Sequence, residues 1–141
     1  MGLRAAAGAA VSGGGGWVVL VARSADALEE LAGELPGPSA CVAGDVGDTD
    51  TAAAAVGAGE ELGGLWGLVN NAGINPHYHP VVETPMSEWD EVLRVNLLGA
   101  TAFARAVGRH LADRGGGGRI VNVSSIAALT GLPNIGPYNA S

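Results

Sequence analysis

Short apolar segments alternate along the chain with segments of mixed polarity. The apolar segments are nearly continuous and rich in β-branched residues, which is typical of parallel strands buried on both faces. They lie at Trp17–Ala22, Ala40–Ala43, Leu65–Val69 and Ile120–Val123. The intervening segments are rich in helix formers. They predict helices at Ala25–Leu35, Thr49–Leu62 and Ser87–Ala112. This alternation predicts an open α/β fold with a parallel sheet.

One polar residue lies on the apolar face of the third predicted helix. The apolar residues of Ser87–Ala112 recur at three- and four-residue spacing, and Asn96 shares their face. An asparagine turned towards a core needs hydrogen-bond partners, because an unpaired one costs free energy. On spacing alone, two interpretations stay open. Asn96 is either a structural residue satisfied at an irregular turn, or a residue that opens the helix and holds a water near a site.

Polar residues gather at the carboxyl ends of the four predicted strands. They are Arg23 and Ser24, then Gly44, Asp45 and Val46, then Asn70 to Gly73, and finally Ser124 and Ser125. Ligands of open α/β sheets bind beyond this edge of the sheet. Four strand ends that carry polar groups on the same side therefore predict one binding site there.

Composition and charge limit the class of protein. The 141 residues suffice for one domain, and 48% hydrophobic residues argue against disorder. Seven basic residues, all arginine, stand against 14 acidic ones, and the net charge of −7 suits neither nucleic acid nor an anionic membrane. The single cysteine excludes an internal disulfide. We therefore expect a cytoplasmic protein with no nucleic-acid or membrane partner.

His77 and His79 raise the question of a metal. They lie two positions apart in a loop bounded by Pro76 and Pro80, but the sequence offers no clear third ligand nearby. We therefore expect a role in a substrate loop and no metal site.

Two motifs carry a family resemblance. Asn70-Asn71-Ala72-Gly73 follows the third predicted strand, and Tyr138 lies thirteen positions after Ser125. Together they resemble the short-chain dehydrogenase/reductase family, which has an Asn-Asn-Ala-Gly run and a Ser…Tyr-x-x-x-Lys pair. The resemblance implies a Rossmann-like, doubly wound parallel sheet with helices on both faces. Within the family the chain looks most like 3-oxoacyl-carrier-protein reductases and related carbonyl reductases; an extended-type epimerase is a weaker alternative.

The resemblance implies an oxidoreductase that interconverts a carbonyl and a secondary alcohol on a small molecule. Tyr138 would be the general acid/base, Ser125 would hydrogen-bond the substrate oxygen, and Asn96 would hold a water of the proton relay. Asn70 would instead be structural and tie neighbouring strands together. The residues expected to bind the cofactor are Gly2, Arg23, Asp45, Val46, Asn71, Ala72, Gly73 and Tyr138. Full-length relatives imply a homodimer or homotetramer.

The end of the first predicted strand bears on the choice of cofactor. A carboxylate there pairs with the ribose 2′-OH of NAD, whereas an arginine accommodates the 2′-phosphate of NADP. The chain has Arg23 at this place and no acid before Asp26, so we predict NADP(H) rather than NAD(H). The alternative is that Arg23 is an ordinary surface residue beside Ser24, which would cap the next helix.

Two departures from the family pattern predict an incomplete domain over residues 1–141. Gly2 resembles the last glycine of a pyrophosphate-binding motif whose strand would precede it, and residues 13–16 cannot replace that motif because they follow a helix. The family's lysine would directly follow Ser141. With a central strand missing, we expect the chain alone to fold poorly or to associate. The alternative function is a non-catalytic remnant that serves as a nucleotide-binding or interaction module.

Overall fold

The computed structural model describes residues 16–141, so Gly2 and residues 13–15 lie outside the described part. Four strands are present: β1 (Val18–Ala22), β2 (Ser39–Ala43), β3 (Gly67–Asn70) and β4 (Arg119–Asn122). The helices are α1 (Ala25–Glu34), α2 (Thr49–Glu61), α3 (Met86–Leu93), α4 (Ala100–Arg114), α5 (Ala127–Thr130) and α6 (Gly136–Ala140). A π-helical segment, Arg94–Gly99, joins α3 to α4 and is called the π turn below. The predicted elements are confirmed, but the third predicted helix is divided by the π turn.

The strands form two parallel pairs. β1 pairs with β2, with Val18 opposite Ser39, and β3 pairs with β4, with Gly67 opposite Arg119. Within residues 16–141, no strand ladder joins the two pairs. One core nevertheless borders both pairs, because β1 and β3 each contribute a side chain, Val19 and Leu68, to the same apolar cluster. The arrangement is that of an incomplete parallel α/β sheet, as predicted.

Helices cover both faces of these strands. α1 packs on β1 and β2, whereas α2 packs on α4, and α4 packs on β3 and β4. The chain moves from β1 outward to β2 and then back past β1 to β3. Right-handed crossovers therefore place α1 and α2 on opposite faces. This agrees with the expected doubly wound topology. None of the helices in residues 16–141 has the length and apolarity needed to cross a bilayer.

The apolar stripe of α4 forms the centre of the core. Phe103, Val107 and Leu111 are buried and recur every four residues, so they share one helix face. Phe103 packs against Ala52 and Ala55 of α2, whose small side chains let the two helices approach closely. This packing fixes the position of α4 and therefore of the π turn that precedes it.

Helix caps set the points at which the chain turns away from β1 and β2. The Oγ of Ser24 accepts a hydrogen bond from the N–H of Ala27 at 3.3 Å, which confirms Ser24 as the N-cap of α1. In the same way, Oδ1 of Asp48 accepts a hydrogen bond from the N–H of Asp50 at 3.0 Å, at the start of α2. The residues directly after the strands therefore lie in short, well-defined turns.

The π turn lies directly against the backbone of the loop that follows β2. A Cβ atom placed on Gly99 would lie 2.7 Å from the carbonyl oxygen of Val46 and 3.4 Å from the backbone nitrogen of Gly47. Backbone atoms cannot swing aside as the end of a flexible side chain can. Glycine at position 99 therefore permits a contact that any other residue would obstruct.

We expect Gly99→Ala to lower the free energy of unfolding by about 1–3 kcal/mol, because overpacking outweighs the better helix propensity of alanine. Gly57 provides the control, since a Cβ atom at this position in α2 would meet nothing within 4 Å. Gly57→Ala should be neutral or stabilise the chain by about 0.4–1 kcal/mol. Denaturant unfolding followed by circular dichroism measures both. A Gly99→Ala chain as stable as the Gly57→Ala chain would contradict the close contact.

Candidate functional site

Three residues of the π turn contact three different segments at the carboxyl ends of the strands. Arg94 contacts Asp45 in the loop after β2, Asn96 contacts the loop after β3 and the end of α6, and Gly99 lies against the loop after β2. A π-helical turn is wider than an α-helical one and is often found at functional sites. The predicted site residues from β2, β3 and α6 are thus connected through one element.

The carboxylate of Asp45 forms two hydrogen bonds on the side of the π turn. Its Oδ1 accepts from the N–H of Gly47 at 2.8 Å, and its Oδ2 accepts from Nη2 of Arg94 at 2.9 Å. The Arg94 hydrogen bond, followed by that from Gly47, holds the pKa of Asp45 below its ordinary value, although desolvation acts in the opposite direction. The same pair raises the pKa of Arg94. Asp45 is therefore ionised and held in one orientation at neutral pH.

Arg94 was not identified from the sequence. It is 49 positions from its partner Asp45, and no local pattern connects two residues that far apart. The available signal was Gly99, since an unexplained glycine inside a strong helical pattern usually has a packing reason. That signal would have indicated the irregular turn but not the ion pair.

Asn96 joins the loop after β3 to α6. Its Oδ1 accepts from the N–H of Ile74 at 2.8 Å, and its Nδ2 donates to the carbonyl oxygen of Ile74 at 3.0 Å and to Oγ of Ser141 at 2.9 Å. The Ile74 backbone thus fixes which amide atom is oxygen and which is nitrogen. A Cβ atom on the neighbouring Gly73 would lie 3.6 Å from Oδ1 of Asn96, so the predicted cofactor loop runs directly beside this amide.

Ser141 continues the connection from Asn96 to Tyr138. Its Oγ donates to the carbonyl oxygen of Tyr138 at 3.0 Å while it accepts from Asn96. The α6 helix is further held by the buried Pro137 and by Gly136, where a Cβ atom would lie 2.7 Å from Val81. Two of the three predicted catalytic residues are therefore linked through one serine.

The side chain of Tyr138 is half-buried, and its hydroxyl forms no hydrogen bond with any of residues 16–141. Ser125 is also half-buried, and its Oγ accepts from the N–H of Ala127 at 3.2 Å. The short helix α5 follows Ser125, and the short helix α6 contains Tyr138. These two helices pack against each other. Within the described part of the chain no hydrogen bond joins Ser125 to Tyr138 or to Asn96. Both hydroxyl hydrogens are therefore available to a ligand.

Asn70 ties the third and fourth strands together, as predicted. Its Nδ2 donates to Oδ1 of Asn122 at 2.9 Å and to the carbonyl oxygen of Ala100 at 3.1 Å. This amide links β3, β4 and the start of α4, and it leaves Asn71, Ala72 and Gly73 to form the loop beyond the strand. Asn71 is half-buried, whereas Ala72 and Gly73 are exposed.

Arg23 lies exposed at the end of β1, directly before the N-cap of α1. It forms no ion pair with another of residues 16–141, but its charge contributes to the lowered pKa of Asp45. The ends of β1 and β2 therefore lie near each other. A free guanidinium beside a helix N-terminus suits a phosphate group.

Val46 lies in the same region, and its side chain packs towards Ala52 and Phe103.

Sequence comparisons identify relatives of the chain. A family model described as short chain dehydrogenase matches residues 1–141. Dehydrogenase/reductase SDR family member 4 of Bos taurus is 34% identical over 131 residues, which are 90% of this chain and 47% of that protein. The chain spans about half the length of the curated relatives it matches.

Solved structures agree with the sequence comparison. A candidate short-chain alcohol dehydrogenase from Sinorhizobium meliloti 1021 superposes with a TM-score of 0.90 at 35% identity, over 99% of this chain and 56% of that one. NAD⁺-bound xylitol dehydrogenase superposes with a TM-score of 0.87 at 26% identity, over 97% of this chain and 55% of that one. Both similarities cover nearly all of this chain.

We expect Arg94→Gln to lower the free energy of unfolding at pH 7 by about 0.2–1 kcal/mol, the range of solvent-exposed ion pairs. The folded pKa of Asp45 lies below its ordinary value of 3.8. The contribution of the pair is therefore present above that value and is lost as the pH falls through the folded pKa. The difference in the free energy of unfolding between wild type and variant should therefore decrease over the same pH range.

A double-mutant cycle of Arg94→Gln with Asp45→Asn isolates the pair, measured by denaturant unfolding at a series of pH values. Arg105→Gln is the matched control, because this exposed arginine of α4 forms no ion pair within residues 16–141. A coupling energy of zero at pH 7, or a loss that does not depend on pH, would show that the pair contributes nothing.

Proposed function

The chain belongs to the short-chain dehydrogenase family, and on that premise we propose that it forms part of an NADP(H)-dependent oxidoreductase. The reaction is the interconversion of a carbonyl and a secondary alcohol on a small molecule. One observation carries this proposal: the hydrogen bonds from Asn96 through Ser141 to the backbone of Tyr138. They connect Asn96 to Tyr138, two residues that the proposed reaction needs, from elements far apart in the sequence.

Tyr138 is the proposed general acid/base. NADPH, when bound, would supply the hydride, and the hydroxyl of Tyr138 would donate its proton to the carbonyl oxygen. In the oxidation direction the deprotonated Tyr138 oxygen would take the proton of the alcohol. This hydroxyl forms no hydrogen bond within residues 16–141 and is available to a substrate, which supports the role. A tyrosine hydroxyl is normally too weak an acid to work well near neutral pH and needs cationic help. In the family that help comes from a lysine, which would directly follow Ser141.

Ser125 is proposed to hold the reacting oxygen. Its Oγ already accepts the N–H of Ala127, which fixes the oxygen while the hydroxyl hydrogen stays available. That hydrogen would be donated to the substrate oxygen, where negative charge develops during reduction. Ser124 has no such role in the proposal, because the family spacing to Tyr138 selects Ser125.

Asn96 is proposed to position a water of the proton relay. Both hydrogens of its Nδ2 are used, by the carbonyl oxygen of Ile74 and by Ser141. Its Oδ1 accepts only the N–H of Ile74 among residues 16–141 and therefore keeps one lone pair. A relay water would donate to this lone pair. The same amide also holds the site together, so it serves structure and chemistry at once.

The NADP(H) preference rests on Arg23, which is exposed, carries no ion pair within the described residues and precedes a capped helix. Asp45 and Val46 would line the adenine, and Asn71, Ala72 and Gly73 would follow the ribose. NAD(H) is the alternative, because the similar xylitol dehydrogenase was solved with NAD⁺. The substrate subclass, with 3-oxoacyl-carrier-protein reductases as the leading candidate, a cytoplasmic location and assembly into a dimer or tetramer stay predictions.

The second candidate function is a non-catalytic nucleotide-binding or interaction module. It is favoured by the way the Asn96 amide is occupied, since three of its hydrogen bonds go to protein groups, as a structural asparagine requires. Sequencing the coding DNA on both sides of residues 1–141 separates the two candidates. A lysine codon directly after Ser141 and a glycine motif before Met1 support the enzyme, whereas a stop codon supports the module.

We expect Tyr138→Phe to lower turnover by about 10²–10⁴-fold, because it removes the proton that the reaction requires. The Kd for NADPH should change little. Tyr78→Phe is the matched control, since that tyrosine is 69% exposed and its hydroxyl contacts only Asn75 within the described residues. NADPH oxidation with a panel of small carbonyls, on the longest product of the gene, gives the rates. Equal turnover in both variants would refute the acid/base role.

We expect Arg23→Asp to weaken NADPH binding by about 10- to 100-fold, because hydrogen bonds between charged groups contribute about 1.5–3 kcal/mol. NADH binding should change much less, since NADH has no 2′-phosphate. Fluorescence titration of both cofactors measures the two effects, and Arg105→Asp controls for the change in net charge. Equal losses for NADPH and NADH would sink the NADP(H) assignment and leave the family membership untouched.

A further inference from the structure

A second polar cluster lies between the loop after β3 and helix α3. Nδ1 of His77 lies 3.7 Å and Nε2 of His79 lies 3.3 Å from the same oxygen, Oε1 of Glu88. One ligand atom from each of the three residues lies within 4.8 Å of the other two. No other three histidine, cysteine or acidic residues in the range 16–141 come this close. No third ligand was evident in the sequence, because Glu88 is brought to the histidines by the fold.

We propose that His77, His79 and Glu88 bind one divalent transition-metal ion, with Zn²⁺ as the best match. Two imidazoles and one carboxylate are a common protein ligand set for zinc, with the fourth position left to water. Bonds of about 2.0–2.1 Å in a tetrahedral site separate neighbouring ligand atoms by roughly 3.3–3.4 Å. The observed 3.3 and 3.7 Å are therefore close to the separations that a bound ion requires.

The ring of His77 is oriented by a second carboxylate. Its Nε2 lies 2.8 Å from Oε2 of Glu91, which is one turn after Glu88 on the same face of α3. A carboxylate that receives the far N–H of a histidine fixes the tautomer of a metal ligand. With the proton on Nε2, the lone pair of Nδ1 points towards the oxygen of Glu88. Two acceptors then face each other, and a cation between them removes the repulsion.

The carboxylate of Glu88 lacks a hydrogen-bond donor that its burial requires. Its side chain is only 15% exposed, and its second oxygen, Oε2, is buried without a hydrogen-bond partner. A buried carboxylate oxygen without a donor is costly, because it has lost water and gained nothing. A metal ion on this carboxylate would neutralise its charge.

The backbone around the histidines is already held in place. The N–H of His79 donates to the carbonyl oxygen of Asn134 at 2.9 Å, and His79 forms a β-bridge with Ile135. Thr84 donates its hydroxyl to the carbonyl oxygen of Pro80 at 3.0 Å. The ligands therefore need little ordering when the ion binds. The ion would join the loop to α3. Because His79 also contacts Asn134 and Ile135, the ion would connect α3 to the segment that leads into α6.

Zinc binding is tested on the longest product of the gene by competition with a chromophoric chelator, with Co²⁺ substitution to report tetrahedral coordination by visible absorption. Wild type should bind one ion per chain. His79→Ala and Glu88→Gln should weaken binding by about 100-fold or more, since each removes a direct ligand, and Glu91→Gln by about 10- to 100-fold. Glu83→Gln, an exposed acid in the same region, should leave the affinity unchanged. Circular dichroism checks the fold of every variant.

Failure of wild type to bind Zn²⁺ would overturn the proposal and leave only direct contacts between the two histidines and the two glutamates. Unchanged binding in His79→Ala and Glu88→Gln would overturn it as well, because the ion would then lie elsewhere, for instance at His110 and Glu60, which are 3.2 Å apart. The measurement needs no turnover. Its outcome is therefore independent of the proposed oxidoreductase activity.

Discussion

The π turn at Arg94–Gly99 is the constraint on which the site at the strand ends depends. By widening one turn of a long helix, it lets Arg94 reach the end of β2 while Asn96 reaches the loop after β3 and the end of α6. A regular helix has 3.6 residues per turn, so the wider turn changes the direction of the side chains after it relative to those before it. The core packing of Phe103 against α2 then holds the turn in position.

Polar satisfaction and close packing reinforce each other at this turn. The amide of Asn96 would be costly to bury alone, yet its partners are backbone groups that the loop after β3 must satisfy in any case. Gly99 permits the backbone contact that brings the loop after β2 close enough for Asp45 to meet Arg94. Loss of either the Asn96 hydrogen bonds or the close contact at Gly99 would therefore disturb the position of the π turn, on which the other depends.

Much of the fold could be predicted from local pattern. Continuous apolar runs identified the four strands, and capping chemistry identified Ser24 as the start of α1. Asn70 was correctly assigned a structural role. Pattern could not identify the pairing of Asp45 with Arg94 or of Glu88 with the histidines. Those partners come from different elements, and their meeting depends on how helices and strands pack, which has no local period.

The sequence by itself determined the elements, their order, the parallel character of the strands and the polar strand ends, because each follows from chemistry within a few residues. It also indicated that Asn96 sits at an irregular turn or a site, without choosing between them. Only the tertiary structure decided that Asn96 lies in an irregular turn with its amide hydrogen-bonded, that Arg94 pairs with Asp45, and that Glu88 lies beside His77 and His79. The physical reason is that hydrogen bonds and ligand geometry depend on distances between atoms, which packing alone sets.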